Sequence, residues 1–266
     1  MSTPHYSLPD LLALMQQLRD PQRGCPWDRK QTFASIVPYT LEEAYEVADS
    51  IEREDWQALK GELGDLLFQV VFYCQMAQEK AWFNFDDVVD TVSEKLVRRH
   101  PHVFAEAKFA DTAAVNANWE AEKSRERQQK DALATSVLDD IPLALPALTR
   151  ANKIQKRCAG VGFDWPELQP VLDKVLEEVD EVMHEVNQPV RDEQKVAEEL
   201  GDLLFATVNL VRHLKKEPEQ VLRDANSKFE RRFRAVEQDL LRMGLSVQQA
   251  SLEQMESAWQ RVKDSE

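Results

Sequence analysis

The chain has 266 residues, 43% of them hydrophobic and 30% charged, and carries a net charge of −15 at pH 7. So acidic a chain lacks the extended basic surface that long nucleic acids require, although a few local cations can still hold a small anion. Seven glycines and twelve prolines are few for this length, which disfavours a turn-rich β architecture and favours helices.

Met1 to Asp20 has no basic segment followed by an apolar run, so no secretory signal is expected. No apolar run approaches the roughly 18 residues of a membrane span. Cys25, Cys74 and Cys158 are odd in number and widely spaced, which points to a reduced, cytoplasmic setting.

In chain order, Leu8, Leu11, Leu12, Met15 and Leu18 recur at helical spacing and predict a helix over 8–18. A second helix is predicted over 41–53, with Thr40 as its N-cap and Glu43 at capping-box spacing. The third, over 56–78, is apolar nearly all round from Leu63 to Met76, as for a helix buried in a bundle. The fourth runs over 86–99, with Asn84 or Asp86 near its start. A linker is expected over 131–144, with Pro142 interrupting any helix there. Three further helices follow, over 171–186, 195–214 and 218–243. No segment alternates as a strand would.

The sequence contains itself twice. Glu62-Leu63-Gly64-Asp65-Leu66-Leu67-Phe68 is identical to Glu199-Leu200-Gly201-Asp202-Leu203-Leu204-Phe205. Ahead of these blocks, Leu41-Glu42-Glu43 with Glu46 parallels Leu176-Glu177-Glu178 with Glu181. Behind them, Lys95, Arg98 and Arg99 parallel Lys228, Arg231 and Arg232, and Trp119 with Lys123 parallels Trp259 with Lys263. Cys25 and Asp28 loosely match Cys158 and Asp164. The expected fold class is therefore all-α, a tandem repeat of two related four-helix-bundle-type domains, over 1–130 and 145–266.

Glu178 and Glu181 are three residues apart, and so are Glu199 and Asp202, so each pair shares a helix face. Facing helices would gather four carboxylates, whose repulsion a hard divalent cation relieves. All-oxygen ligation suits Mg²⁺ or Mn²⁺. Solvated acidic faces are the alternative, but Glu199 and Asp202 interrupt an almost wholly apolar helix. Gly201 costs that helix roughly 1 kcal/mol relative to alanine, which close approach of a backbone or a ligand would explain. A di-iron centre would want two Glu-x-x-His motifs; Glu181 with His184 supplies one, and Asp stands at the matching position 49. Glu43, Glu46, Glu62 and Asp65 repeat the acidic set in the first half.

Lys228, Arg231 and Arg232 share a helix face and suit a phosphate chain; a solvated basic face is the alternative. Lys174 stands four residues before Glu178, and Lys195 four before Glu199. Trp259 offers a face for a nucleobase or closes a core. Acids and cations together describe a site for a metal-bound polyphosphate.

These ordered blocks resemble the MazG-type all-α nucleoside triphosphate pyrophosphohydrolases. The resemblance also takes in Gly24-Cys25-Pro26-Trp27-Asp28 and Arg98-Arg99-His100-Pro101-His102-Val103-Phe104, and spans nearly the whole chain, the tandem arrangement included. It implies Mg²⁺-dependent hydrolysis of ribo- and deoxyribonucleoside triphosphates to NMP and pyrophosphate, by a cytoplasmic homodimer. It implies Glu178, Glu181, Glu199 and Asp202 as metal ligands. Lys174, Lys195, Lys228, Arg231 and Arg232 would hold phosphates, and Trp259 would contact the nucleotide. Glu177 and Glu178 are both candidates for the general base.

Both halves keep their acids and the Lys-x-x-Arg-Arg trio, but Lys174 maps to Tyr39 and Lys195 to Ala58. The first half is therefore expected to bind phosphates less well, and the resemblance implies that activity lies in the second half, with the first serving dimerisation or regulation. Glu43, Glu46, Glu62, Asp65, Lys95, Arg98 and Arg99 form a second candidate site. The contrasting expectation is a nucleotide-sensing or partner-binding helical module without turnover. Neither long nucleic acid nor membrane is an expected partner.

Overall fold

The computed structural model describes residues 5–130 and 136–266. The chain divides into two compact units, Met1–Lys130 and Asp131–Glu266. Among the described residues every regular element is helical, and no helix is long and apolar enough to cross a membrane.

The first unit contains α1 (Leu8–Leu18), α2 (Phe33–Glu52), α3 (Trp56–Glu79), α4 (Phe85–Arg99), α5 (Pro101–Phe104) and α6 (Thr112–Lys130). Side-chain caps fix several starts, because the first N–H groups of a helix lack intrahelical partners. Thr32 accepts from the Ser35 amide at 3.2 Å, Asp55 from Ala58 at 3.0 Å, and Asn84 from Asp87 at 3.1 Å.

Helix α2 corrects the predicted start at Leu41. Its cap is Thr32, and Pro38 lies inside the helix, removing one N–H from the ladder without ending it. Thr40 is interior: its hydroxyl donates to the Ile36 carbonyl at 3.2 Å and lies 2.9 Å from the Tyr73 hydroxyl. The Thr40–Glu43 spacing mimics a capping box that Thr32 and Ser35 form upstream.

The second unit contains α7 (Ala147–Ala159), α8 (Leu168–Val186), α9 (Glu193–His213), α10 (Pro218–Arg242) and α11 (Leu252–Asp264). Helices α5, α6, α7 and α11 are additional to those predicted. Residues 131–135 of the expected linker lie outside the described residues; α7 starts directly after Pro146.

Met15, Ile36, Val71, Phe72 and Met76 form the core of the first unit. In the second, Val236, Leu240 and Ala258 join α10 to α11, while Val171, Val196, Ala206 and Val208 are buried along α8 and α9. The expectation that α3 is buried on all faces needs correction. Val71, Phe72, Cys74, Met76 and Ala77 are buried, but Leu63 and Leu67 are 50% and 40% exposed. Leu200 and Leu204 on α9 are likewise exposed. Within one unit, neighbours cover only one side of each of these helices.

The glycine reading changes too. A Cβ added at Gly64 or Gly201 meets nothing within 4 Å. Among the described residues no backbone approaches either position.

Candidate active site

Helices α8 and α9 pack as a hairpin, and their facing sides carry the acids. Carboxylate oxygens of Glu178, Glu199 and Asp202 lie within 4.8 Å of one another. Glu178 is buried, with 5% exposure. Its Oε1 accepts from the Lys174 ammonium at 2.8 Å, one helical turn earlier. Its Oε2 is buried without a hydrogen-bond partner. Lys174 also donates to Glu177, again at 2.8 Å. These two bonds, that to Glu177 first, hold the lysine well above its usual pKa and keep it charged.

Glu181 belongs to the same electrostatic group. Partial desolvation, then the negative charge of Glu178, raises its carboxyl above the usual range, and Glu199 adds to this. Lys174 opposes the shift. Glu177, Glu181, His184 and Glu199 border a common depression.

Glu178 and Asp202 belong to the wall of a separate cavity of ≈ 440 Å³. Lys174 lines it beside the acids, and Phe163, Trp165, Val171 and Ala206 give it an apolar surface. Arg212 forms a two-armed pair with Asp164 in this wall, at 2.9 and 2.5 Å. His213 lies 3.0 Å from the same carboxylate. The guanidinium, followed by the histidine, lowers the Asp164 pKa. Arg212 also donates to Asn209 Oδ1 at 2.9 and 2.7 Å.

Beyond Lys174, Glu178 and Asp202, the residues of the cavity wall are absent from the predicted set, although signals for some of them exist. Asn209 stands seven residues, two helical turns, after Asp202 on α9. Phe163 and Trp165 follow Gly162 just after α7, in a loop that parallels Gly24 to Trp27 in the first half.

The remaining predicted residues lie elsewhere in the second unit. Lys195 is exposed in the first turn of α9 and is not among the residues lining the cavity. Lys228 is exposed on α10. Arg231 and Arg232, on the same helix, reach Glu266 at 3.0 and 2.6 Å. Trp259 packs against Phe229 with ring centroids 5.2 Å apart, and the Arg232 guanidinium lies over it at 5.9 Å. Trp259 therefore joins the α10–α11 contact and does not line the cavity.

In the first unit, oxygens of Glu43, Glu62 and Asp65 also lie within 4.8 Å of one another. Desolvation first, then the charges of Asp65 and Glu46, raises the Glu43 carboxyl. What surrounds these acids differs. Where α9 carries Ala206 and Asn209, α3 carries Gln69 and Phe72, and both are buried. Phe72 packs with Met15 and Ile36 in the core. Tyr39, at the place of Lys174, makes a T-shaped contact with Trp27, ring centroids 5.8 Å apart. Arg98 and Arg99 are bound to Glu126 at 2.9 and 2.5 Å. Lys95 is partly buried on α4.

The model of the MazG nucleotide pyrophosphohydrolase domain matches this chain twice, over residues 31–104 and 167–236. The chain is 60% identical over 256 residues to the nucleoside triphosphate pyrophosphohydrolase of Escherichia coli strain K12, covering 96% of this chain and 97% of that one. It is 39% identical over 254 residues to the nucleoside triphosphate pyrophosphohydrolase/pyrophosphatase MazG of Thermotoga maritima, covering 96% and 94%. It is 38% identical over 158 residues to the nucleoside triphosphate pyrophosphohydrolase of Mycobacterium tuberculosis, covering 59% of this chain and 46% of that one.

Proposed function

The chain belongs to the MazG nucleotide pyrophosphohydrolase family, and we propose that its second unit carries out the reaction with a divalent cation, Mg²⁺ or Mn²⁺, at the α8–α9 carboxylates. The chain is an enzyme that hydrolyses nucleoside triphosphates to the monophosphate and pyrophosphate. The observation that carries the assignment is the buried, unpartnered Oε2 of Glu178 within a group of carboxylate oxygens less than 4.8 Å apart. A buried carboxylate oxygen without a donor is costly, and a hard cation satisfies it. The all-oxygen donor set fits Mg²⁺.

Glu178, Glu181, Glu199 and Asp202 hold the metal in this reading. Bound there, Mg²⁺ offsets the charge of the triphosphate and lowers the pKa of a water. Glu178 also serves as general base, in preference to the more exposed Glu177, because it borders both the acid group and the cavity. Lys174 stays charged beside it and meets a phosphate oxygen. The nucleoside occupies the cavity, whose volume falls within the usual range for ligand sites. Trp165 and Phe163 supply apolar contact that suits ribo- and deoxyribonucleosides with different bases.

Lys195, Lys228, Arg231 and Arg232 are assigned to the phosphates and Trp259 to the nucleotide. For the two arginines this role requires triphosphate to displace Glu266. The first unit, its Phe72 and Gln69 buried where the second has Asn209 and Ala206, is assigned to dimerisation or regulation rather than turnover. The exposed Leu63, Leu67, Leu200 and Leu204 favour a homodimer, and the three free cysteines suit the cytoplasm.

Incubation with Mg²⁺ and each standard NTP and dNTP, with products resolved by ³¹P NMR, tests the reading. NMP and pyrophosphate from several nucleotides are expected. NDP with orthophosphate would overturn the bond assignment. Mg²⁺-dependent binding without turnover would put a sensing module in its place.

A further inference from the structure

We propose that Gln155 reads the edge of the bound nucleobase, its side-chain carbonyl accepting a hydrogen bond from a base N–H. The inference deepens the reading above and rests on it, since it needs the nucleoside to enter the cavity. Gln155 lies on α7 and is 7% exposed. Its Nε2 donates to the Phe205 backbone carbonyl on α9 at 2.8 Å. That carbonyl can only accept, so the orientation of the Gln155 amide is fixed. Oε1 is thereby committed as an acceptor, and it is buried with no donor. Buried polar atoms are seldom left so, and each exception asks for a partner.

The place of this residue names the partner. Gln155 belongs to the wall of the cavity that Trp165 and Phe163 share with Glu178 and Asp202. A nucleotide whose phosphates meet the acids puts its base among the aromatic residues. Across the same wall, Asn209 spends Oδ1 on two bonds from Arg212. The nitrogen of its amide is therefore the part able to meet a ligand. The wall offers an acceptor at Gln155 and a donor at Asn209.

Every standard base carries the complement, an N–H beside an acceptor. Adenine and cytosine have the exocyclic amine next to a ring nitrogen. Guanine, uracil and thymine have the ring N–H next to a carbonyl. One fixed acceptor thus serves all the bases and still rejects a ring with no N–H on that edge. Tolerance among natural nucleotides and intolerance of donor-free analogues follow from the same atom.

The test compares ATP with purine riboside 5′-triphosphate, which lacks the amine, and UTP with its N3-methyl analogue, in the full chain with Mg²⁺. Pyrophosphate release gives kcat/KM for each. The wild type should favour the donor-bearing member of each pair by about tenfold or more, the scale on which sites with an unpaired polar group reject an analogue. Gln155→Met should bring both ratios close to one. Wild-type ratios near one would overturn the inference without recourse to any variant, and so would ratios that persist in Gln155→Met. In either case pyrophosphate release from ATP leaves the reaction itself intact. No pyrophosphate from any nucleotide would instead overturn the reaction, and this inference with it.

Discussion

Lys174 Nζ stands 2.8 Å from Glu178 Oε1, while the other oxygen of that buried carboxylate has no partner. The lysine neutralises part of the charge and leaves one oxygen for chemistry. Glu178→Gln keeps the shape but removes the charge, and should lower kcat by about a hundredfold or more. Glu177→Gln, changing the more exposed acid on the same lysine, should cost far less. Glu43→Gln in the first unit should spare most of the turnover. Equal losses from Glu178→Gln and Glu43→Gln, measured as pyrophosphate release, would reject assignment of the reaction to the second unit.

Metal binding can be read without turnover. A ligand that binds only the folded chain stabilises it by about 2.7 kcal/mol at a hundred times its Kd. Adding Mg²⁺ in the absence of nucleotide should therefore raise the melting temperature. The rise should shrink in Asp202→Asn and Glu199→Gln, whose carboxylates lie together with that of Glu178. A rise equal to that of the wild type in both variants would place the cation elsewhere.

Phe72 is 1% exposed and packs with Met15, Ile36, Val71 and Met76. Truncating a buried phenylalanine typically costs about 3–5 kcal/mol, through lost transfer free energy and the cavity left behind. Phe72→Ala should unfold the first unit at markedly lower denaturant concentration. Below that transition, pyrophosphate release should be close to wild type. A loss of kcat at full folding would mean that the first unit takes part in catalysis.

Much of this was legible in the sequence, for physical reasons that differ by element. Helix α1 follows directly from apolar spacing, and the acid pairs follow from the three-residue helical interval. The start of α2 could not be read correctly because Thr40 with Glu43 imitates a cap that Thr32 and Ser35 form upstream. The exposed sides of α3 and α9 could not be read, because hydropathy shows that a face is apolar but not what covers it. The cavity needed three dimensions. Gln155, Asp164 and Arg212 come from different parts of the chain, and only folding makes Gln155 Oε1 an orphan.

The first unit also carries an acid-sensitive contact. Arg99, then Arg98, lowers the Glu126 carboxyl from 4.5 to about 2. A depressed folded-state pKa gives stability that is complete above the unfolded value and fades as pH falls through the folded one. Glu126→Gln should therefore melt below the wild type at neutral pH. The difference should narrow from about pH 4.5 downward and vanish near pH 2. Melting curves across that window check the sign; a difference that grows on acidification would contradict it.

Glu266 offers the last test, because it occupies the arginines assigned to phosphate. Its carboxyl is held at about 2 by hydrogen bonds from Arg232 and then Arg231, so it remains charged at neutral pH. A carboxylate on a guanidinium uses the same forked geometry as a phosphate. If the triphosphate must displace it, Glu266→Gln should lower KM while kcat stays put. The ion pair is exposed and screened by salt, so the gain should be modest, no more than about fivefold, and largest at low salt. Steady-state kinetics at two ionic strengths measure it. An unchanged KM at low salt would show that Arg231 and Arg232 serve the α10–α11 contact and leave the phosphates to the lysines.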